Sequence, residues 1–145
     1  MRPGRFLAAG AAEGEALVLT EALSFWGGVE IATGRIIDEF HPERGHCVSG
    51  RILVMPGGRG SSSSASVLAE GIRRGTAPAA IILARADAIL AIGALVAHAL
   101  YGLSCPVVFA PIDGIGSRHR IRISAGAGNA ALMEFLSAGR GASTA

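Results

Sequence analysis

Residues 51–64 read Arg-Ile-Leu-Val-Met-Pro-Gly-Gly-Arg-Gly-Ser-Ser-Ser-Ser. The strand-like run 51–55, apolar after Arg51, predicts a strand, and the segment that follows the serines predicts a helix. Glycines between them allow a tight turn, and the first amides of a helix lack intrahelical partners and attract anions. The stretch therefore predicts a strand-to-helix turn that binds a carboxylate or phosphate, with Arg59, Ser61 and Ser62 within reach of it.

The alternation of strand and helix continues downstream of this turn. A helix over 62–74 is followed by a Gly/Pro turn and an apolar strand over 79–83. Asp87 is typical of an N-cap and predicts a helix over 88–101, after which 106–109 reads as another buried strand. Because the second helix is apolar on nearly every face, we expect sheet, loop or a partner to cover it on both sides. The pattern indicates an α/β fold.

The region after the second helix alternates in the period of a half-buried strand. In residues 118–123, Arg alternates with His or Ile. We expect Ile121 and Ile123 to point inward together with His119, and the arginines to share a solvated or interface edge.

Length and composition define the class of protein. A chain of 145 residues fits one domain, residues 1–145, with an ordered core over about 5–137. Its last element is predicted to be a short helix over 129–137, followed by a flexible Gly/Ser/Ala tail over 138–145. No apolar run reaches the roughly 18–20 residues of a membrane span, and no secretory signal is visible. We therefore expect no membrane partner and a cytoplasmic location.

Charge and residue usage exclude several chemistries. A formal net charge of +2 with scattered basic residues does not favour nucleic-acid binding. All 13 basic side chains are arginines, so the chain has no lysine for a Schiff base or a Walker-type phosphate loop. Cys47 and Cys105 are far apart and have no CxxC spacing, which predicts no metal site here. Both are interpreted as small buried hydrophobic residues.

The glycine–serine turn has alternative interpretations. A purely structural turn with serine caps explains its composition as well as a ligand site does. A dinucleotide fingerprint would need a third glycine where Ser63 stands, and a serine hydrolase would need a glycine two residues after its nucleophile. Neither pattern is present.

The histidines and the single tryptophan carry weaker signals. His98 lies in the apolar helix and is interpreted as a core residue, whereas His41 and His46 flank a loop and are expected at the surface. None is assigned to catalysis. Trp26, which follows Phe25 and precedes two glycines, is a candidate for contact with a partner, and simple local packing is the equal alternative.

Several blocks agree in order and spacing with a known family. Together they resemble the small, swivel-domain subunit of the aconitase X family, over about residues 14–106. The matching blocks are Leu-Ser-Phe-Trp-Gly-Gly-Val at 23–29, Thr-Gly-Arg-Ile-Ile-Asp at 33–38, Gly-Arg-Ile-Leu-Val-Met-Pro at 50–56, Gly-Arg-Gly-Ser-Ser at 58–62 and Gly-Thr-Ala-Pro-Ala-Ala-Ile at 75–81.

The resemblance implies a fold and separate roles for two subunits. The fold would be the swivelling β/β/α domain of aconitases, a barrel-like sheet with flanking helices. The activity would be that of a two-part hydro-lyase, in which a large subunit binds an iron–sulfur cluster and most of the substrate. This chain would close the site with a serine.

The resemblance also assigns residues. The first serine of the Gly-Ser-Ser turn, Ser61, would act as alkoxide and general base, with Gly60, Ser62 and Arg59 binding a small-molecule carboxylate. Aconitases have a substrate-binding arginine after these serines, but this chain has Ser63. Arg59 is the proposed substitute.

The resemblance leaves the substrate open. Bacterial members dehydrate cis-3-hydroxy-L-proline, and archaeal members dehydrate mevalonate 5-phosphate. The Gly-Ser-Ser-Ser-Ser sequence at 60–64 favours the first. The alternative from another class is a non-catalytic, anion-binding regulatory module.

Overall fold

The computed structural model describes residues 2–117 and 119–136. These ranges contain nine strands and three helices. In chain order they are β1 (Arg2–Ala8), β2 (Ala12–Val18), α1 (Phe25–Gly28), β3 (Val29–Glu30), β4 (Arg35–Ile36), β5 (Ile52–Met55), α2 (Ser64–Arg74), β6 (Ala80–Leu83), α3 (Ala88–Tyr101), β7 (Val107–Phe109), β8 (Arg120–Ala125) and β9 (Ala130–Leu136).

Seven of these strands form a closed barrel in the order β1-β7-β6-β5-β2-β8-β9, and β9 pairs back onto β1. The neighbours β2, β5, β6 and β7 run parallel, while the pairs that involve β1, β8 and β9 are antiparallel. A short β3-β4 ribbon lies outside the barrel. The predicted mixed α/β, barrel-like fold is therefore confirmed.

The parallel strands are buried on both faces. Every residue of β5 and β6 is buried, because α2 and α3 cover the outer face of these strands and the barrel interior covers the inner face. Two cores result. Leu53 and Ile81 belong to the core beneath the helices, whereas Ile52 and Ile82 belong to the core inside the barrel.

Strand β8 shows the predicted alternation. Ile121 and Ile123 are buried in the barrel, while Arg120 and Arg122 are exposed, as expected. The prediction for His119 is wrong, because its side chain is exposed and its Nδ1 accepts a hydrogen bond from the Gly116 N–H at 3.1 Å. His119 precedes the first residue of β8, so the period of the strand does not extend to it.

The predicted helix over 129–137 is wrong, because residues 130–136 form β9. Its sequence, Ala-Ala-Leu-Met-Glu-Phe-Leu, is rich in helix-forming residues. Pairing decides otherwise, since β9 pairs with β8 at Ile121↔Phe135 and with β1 at Arg2↔Met133. Closing the barrel satisfies both edges, and this tertiary gain overrides local propensity. The tail predicted over 138–145 lies outside the described residues.

Helix α2 begins and ends at recognisable signals. It begins at Ser64, two residues later than predicted, because residues 61–63 form a turn instead. It ends at Gly75, whose φ of 81° is the left-handed conformation that glycine adopts most readily.

Helix α3 has the predicted N-cap. The Asp87 Oδ1 accepts hydrogen bonds from the amides of Ile89 and Leu90 at 2.8 and 3.2 Å. One side packs on α2, where Gly93 allows close approach to the Ala65 carbonyl. No helix in the described part of the chain has the length and apolarity needed to cross a membrane.

Within this chain α3 is covered on one side only, so the expected cover of its other side by a partner stays a prediction. The side opposite α2 is exposed, and His98, expected in the core, is exposed with it. The exposed apolar side chains of this face are those of Ile92, Leu95, Val96, Leu100 and Tyr101.

Candidate active site

The glycine–serine loop, residues 56–63, lies at the carboxyl ends of the parallel strands. It connects β5 to α2, and the loop between β6 and α3, residues 84–87, lies beside it. The two loops are joined by the Ala84 N–H donating to the Met55 carbonyl at 3.3 Å and the Arg85 N–H donating to the Pro56 carbonyl at 3.0 Å. Parallel strands joined by helices bind ligands at this edge in both open sheets and closed barrels, because the loops that follow the strands converge there.

The loop is held close to its neighbours at two glycines. Gly60 has a φ of 99°, and a Cβ there would collide with the Ser24 hydroxyl. At Gly58 a Cβ would collide with the Asp87 Oδ2. Both positions require glycine, so the turn anticipated from the sequence is a constrained one.

Ser61 lies directly before α2. Its Oγ accepts a hydrogen bond from the Ser63 N–H at 3.0 Å, and its carbonyl accepts one from the Ser64 N–H at 2.9 Å. A backbone N–H that donates to the oxygen, together with the positive end of α2, favours the ionised over the neutral hydroxyl. Ser61 and Ser62 are both exposed, so their hydroxyls are open to a ligand.

Arg59 is engaged by an acidic neighbour. Its Nη2 donates to the Asp38 Oδ2 at 3.0 Å, and the arginine side chain is half exposed. This ion pair links the glycine–serine loop to the segment after β4. Arg59 lines the candidate site, but its charge is already partly balanced within the chain.

A small cavity lies against the glycine–serine loop. Its volume is about 150 Å³, below the roughly 300–1,000 Å³ of typical ligand pockets. The predicted residues Arg59, Gly60 and Ser61 line it, whereas Ser62 does not. The full lining is Leu23, Phe25, Gly58, Arg59, Gly60, Ser61, Ser64, Asp87, Ile89 and Leu90. The described residues therefore supply part of a ligand site, with Ser61 on its open side.

Sequence reasoning missed Ser64, which joins the segment around Phe25 to the start of α2. Ser64 is 3% exposed, and its Oγ accepts the Trp26 N–H at 3.1 Å. The Ser24 hydroxyl donates to the Trp26 carbonyl at 2.9 Å and lies 3.4 Å from the Ser64 Oγ. These contacts attach the segment around Phe25 to the start of α2. No sequence signal distinguishes Ser64 from the three serines before it.

Trp26 is exposed, as its position beside two glycines suggested. Its indole is 58% exposed although its backbone is fixed on Ser64. Phe40, 91% exposed, follows Asp38, the partner of Arg59. Both residues are exposed and lie in segments that are bonded to the start of α2 or to the glycine–serine loop.

The histidine and cysteine interpretations need partial correction. His41 is 4% exposed rather than at the surface; its Nδ1 accepts the Glu43 N–H at 3.1 Å. His46 is exposed as expected. Burial raises the pKa of the Cys105 thiol to about 12. Cys47 is only half-buried, and its pKa is lowered, chiefly by a hydrogen bond with Ser49.

The described ranges contain no group of three or more His, Cys, Asp or Glu side chains that could hold a metal ion. A second cavity, about 360 Å³, lies at the opposite, amino ends of the parallel strands. It is the larger of the two, yet Arg73 on its wall is paired with Glu70 at 2.6 Å and the glycine–serine loop is remote from it. The chemically equipped site is the smaller one.

Comparisons with known proteins agree with this architecture. Residues 2–131 match the family described as "Aconitase X swivel domain". The chain therefore belongs to the aconitase X swivel domain family.

Two curated relatives show how such a domain occurs. The "Cis-3-hydroxy-L-proline dehydratase" of Pseudomonas aeruginosa is 52% identical over 103 residues, which are 71% of this chain and 18% of that protein. The "Phosphomevalonate dehydratase small subunit" of Methanothermobacter thermautotrophicus is 45% identical over 93 residues, 64% of this chain and 71% of that one. The matched region spans less than a fifth of the Pseudomonas protein.

Solved structures share the fold over nearly the whole chain. Aconitase X of Thermococcus kodakaraensis, in its holo-form, superposes with a TM-score of 0.80 at 32% identity, covering 92% of this chain and 96% of that one. A UPF0107 protein solved by solution NMR superposes with a TM-score of 0.77 at 33% identity, covering 92% and 97%.

Proposed function

We propose that this chain is the small subunit of a two-part dehydratase of the aconitase X type. The observation that carries the proposal is the position of Ser61: in a member of this family, its hydroxyl lies at the N-terminus of α2 on the open side of a glycine-lined cavity. Relatives that are named dehydratases support it. A structural cap alone would not need the constrained Gly60 turn beside a cavity.

Ser61 acts as the general base. A serine hydroxyl is a poor base at neutral pH unless its alkoxide is stabilised, and the Ser63 N–H and the start of α2 provide that stabilisation. In the alkoxide form, Ser61 removes the proton next to the substrate carboxylate. The C–H electron pair forms the new double bond as the hydroxyl group leaves from the adjacent carbon.

A large subunit completes the site. The cavity is too small to enclose a substrate, and Ser61 on its wall is exposed, as are the large apolar side chains of Trp26 and Phe40. A partner that covers this side would exclude water and strengthen the electrostatic stabilisation of the alkoxide. In the Pseudomonas relative, the matched region is 18% of the protein. There the swivel domain and the sequence that would correspond to a large subunit belong to one chain.

An iron–sulfur cluster belongs to the proposed partner and not to this chain. Among the described residues, Cys105 is deeply buried with a raised pKa, and no cluster of ligands is formed. These residues do not fit such a group, so no step here is derived through it.

The proposed substrate is cis-3-hydroxy-L-proline. Dehydration would give an enamine that tautomerises to Δ1-pyrroline-2-carboxylate. The 52% identity to the Pseudomonas dehydratase, against 45% to the Methanothermobacter small subunit, supports this choice. Mevalonate 5-phosphate is the alternative substrate, and the location is proposed to be cytoplasmic.

The test is reconstitution. The chain is assayed alone and then after anaerobic co-purification with its candidate large subunit, using cis-3-hydroxy-L-proline and mevalonate 5-phosphate as parallel substrates. Turnover of the first only by the pair is the expected result. Turnover of the second alone would correct the substrate, and failure to form a pair would favour the non-catalytic anion-binding module.

A further inference from the structure

A second arginine lies against the glycine–serine loop. Arg85 follows β6, and its N–H donates to the Pro56 carbonyl at 3.0 Å, which fixes its backbone beside the loop. Its guanidinium covers Gly57: a Cβ there would be 2.7 Å from Nη2 and 3.1 Å from Cζ. Gly57 is not among the glycines with positive φ, so its conformation does not demand glycine. What the missing side chain provides is room for the guanidinium of Arg85.

The charge of Arg85 is not balanced within the described residues. Its side chain is exposed, and no hydrogen bond or ion pair to it occurs in residues 2–117 or 119–136. Arg59, in contrast, is paired with Asp38 at 3.0 Å. Asp87, two residues after Arg85, uses its Oδ1 to cap α3 and directs its Oδ2 at Gly58. Of the two arginines at this loop, Arg59 has one guanidinium N–H group engaged by Asp38, whereas Arg85 has none engaged within the described residues.

We propose that Arg85 binds the substrate carboxylate, and this inference rests on the proposed function. Arg85 is in the same loop as Asp87, which lines the cavity, and at the same edge of the barrel as Ser61. A guanidinium presents paired N–H donors that match a carboxylate, and the amides at the start of α2 add to the attraction. Both candidate substrates carry a carboxylate, so Arg85 serves either. Arg59 remains with Asp38 and positions the loop.

Steady-state kinetics of the reconstituted pair test this role. Arg85→Gln is expected to raise KM by about 10- to 100-fold with kcat changed less than about threefold, because a charge-assisted hydrogen bond contributes to substrate binding. Arg85→Lys should fall between, since lysine keeps the charge but not the paired donors. The matched control is Arg74→Gln, an exposed arginine at the far end of α2 that also removes one charge. A KM for Arg85→Gln within twofold of the wild type would overturn the proposal.

A labelling experiment on the wild-type pair needs no variant. Phenylglyoxal modifies exposed arginines, and peptide mass spectrometry measures the modified fraction at Arg85 and Arg74. Saturating cis-3-hydroxy-L-proline should protect Arg85 and leave Arg74 unchanged. Equal labelling with and without substrate would overturn the assignment. A pair that turns over neither substrate defeats the proposed function, whereas a working pair with an unprotected Arg85 defeats only this inference.

Discussion

The parallel half of the barrel, comprising β5, α2, β6, α3 and β7, differs from the antiparallel half, comprising β1, β2, β8 and β9, in how it uses its charged residues. In the antiparallel half, Arg120 and Arg122 donate to Glu13 at 2.7 and 3.2 Å. At the carboxyl ends of the parallel half, Arg85 has no such partner in the described chain, and Ser61 is exposed on a helix N-terminus. The antiparallel half pairs these arginines with an acidic residue of its own, whereas the parallel half leaves Arg85 and Ser61 exposed at the proposed ligand site.

The difference follows from how strands are connected. Antiparallel neighbours such as β8 and β9 are joined by a short turn, which leaves no room for a ligand site. Parallel neighbours need crossover helices, so each crossover delivers a loop and a helix N-terminus to the same edge. We expect variants in the parallel half to change turnover, and variants in the antiparallel half to change stability.

The largest effect is expected at Ser61. Ser61→Ala should lower the kcat of the reconstituted pair by about a thousandfold or more, because the base that takes the proton is removed. Substrate affinity and pairing should remain, since the side chain is exposed. Ser66→Ala, which changes an exposed serine inside α2, is the control and should leave kcat unchanged. Retained turnover in Ser61→Ala would end the assignment of the base.

The antiparallel half should show the opposite response at Ile121. This side chain is fully buried inside the barrel, so Ile121→Ala should lower the free energy of unfolding by about 2–5 kcal/mol. Urea titration measures the loss, and kcat per folded pair should not change. A kcat that fell in parallel with stability would show that the two halves are not independent.

Substitution of Ser64 should lower both the stability of the protein and the turnover of the pair. Ser64→Ala leaves the Trp26 N–H, in a part-buried hydrogen bond, without its acceptor, at a cost of about 1 kcal/mol in unfolding free energy. Because this bond connects the segment around Phe25 with the start of α2, turnover should also fall, by roughly tenfold. Urea titration and kcat, measured on the same preparation, would show whether stability and turnover fall together. A loss of stability without any loss of turnover would reduce Ser64 to a structural role.

Alanine substitutions at two glycines with positive φ allow the turnover of the two halves to be compared at similar backbone strain. Gly60 and Gly128 have φ values of 99° and 61°, so alanine at either should cost about 1–2 kcal/mol in stability. At Gly60 a Cβ would also displace Ser24, whereas nothing lies within 4 Å of one at Gly128. Gly60→Ala should therefore reduce turnover and Gly128→Ala should not. Similar turnover in the two variants would argue that the loop geometry is unimportant.

The smallest effect is expected at Glu13. Hydrogen bonds from Arg120 and Arg122 hold the pKa of this carboxyl below its usual value of 4.5. A lowered folded-state pKa stabilises the protein above pH 4.5, and the contribution is lost as pH falls through the lowered value. Glu13→Gln should slightly lower Tm at neutral pH and low salt, with the difference from wild type vanishing in acid. A difference that persisted in acid would need another cause.

The parallel half could be predicted from the sequence largely because its signals are local. The apolar run of β5, the Asp87 cap and Gly75 mark their elements without reference to the rest of the chain. Residues 130–136 carry helix-forming residues, and only pairing with both β1 and β8 makes them a strand.

The candidate site was partly predictable for the same reason. Ser61 and Gly60 belong to one continuous motif, and the structure brings both to the cavity. Ser64 and Arg85 were missed because their roles depend on contacts with Trp26 and Gly57, which lie 38 and 28 positions away in the chain. Sequence patterns show which residues share an element, and long-range contacts show which of them meet.

Trp26 has a practical consequence as the chain's single tryptophan. Its indole is 58% exposed, while its backbone is bonded to the first residue of α2. Tryptophan emission from the isolated chain therefore originates at one residue, whose backbone is attached to the start of α2. Trp26 fluorescence can therefore report binding, because its emission would shift to shorter wavelength when a partner or ligand removes water from the indole.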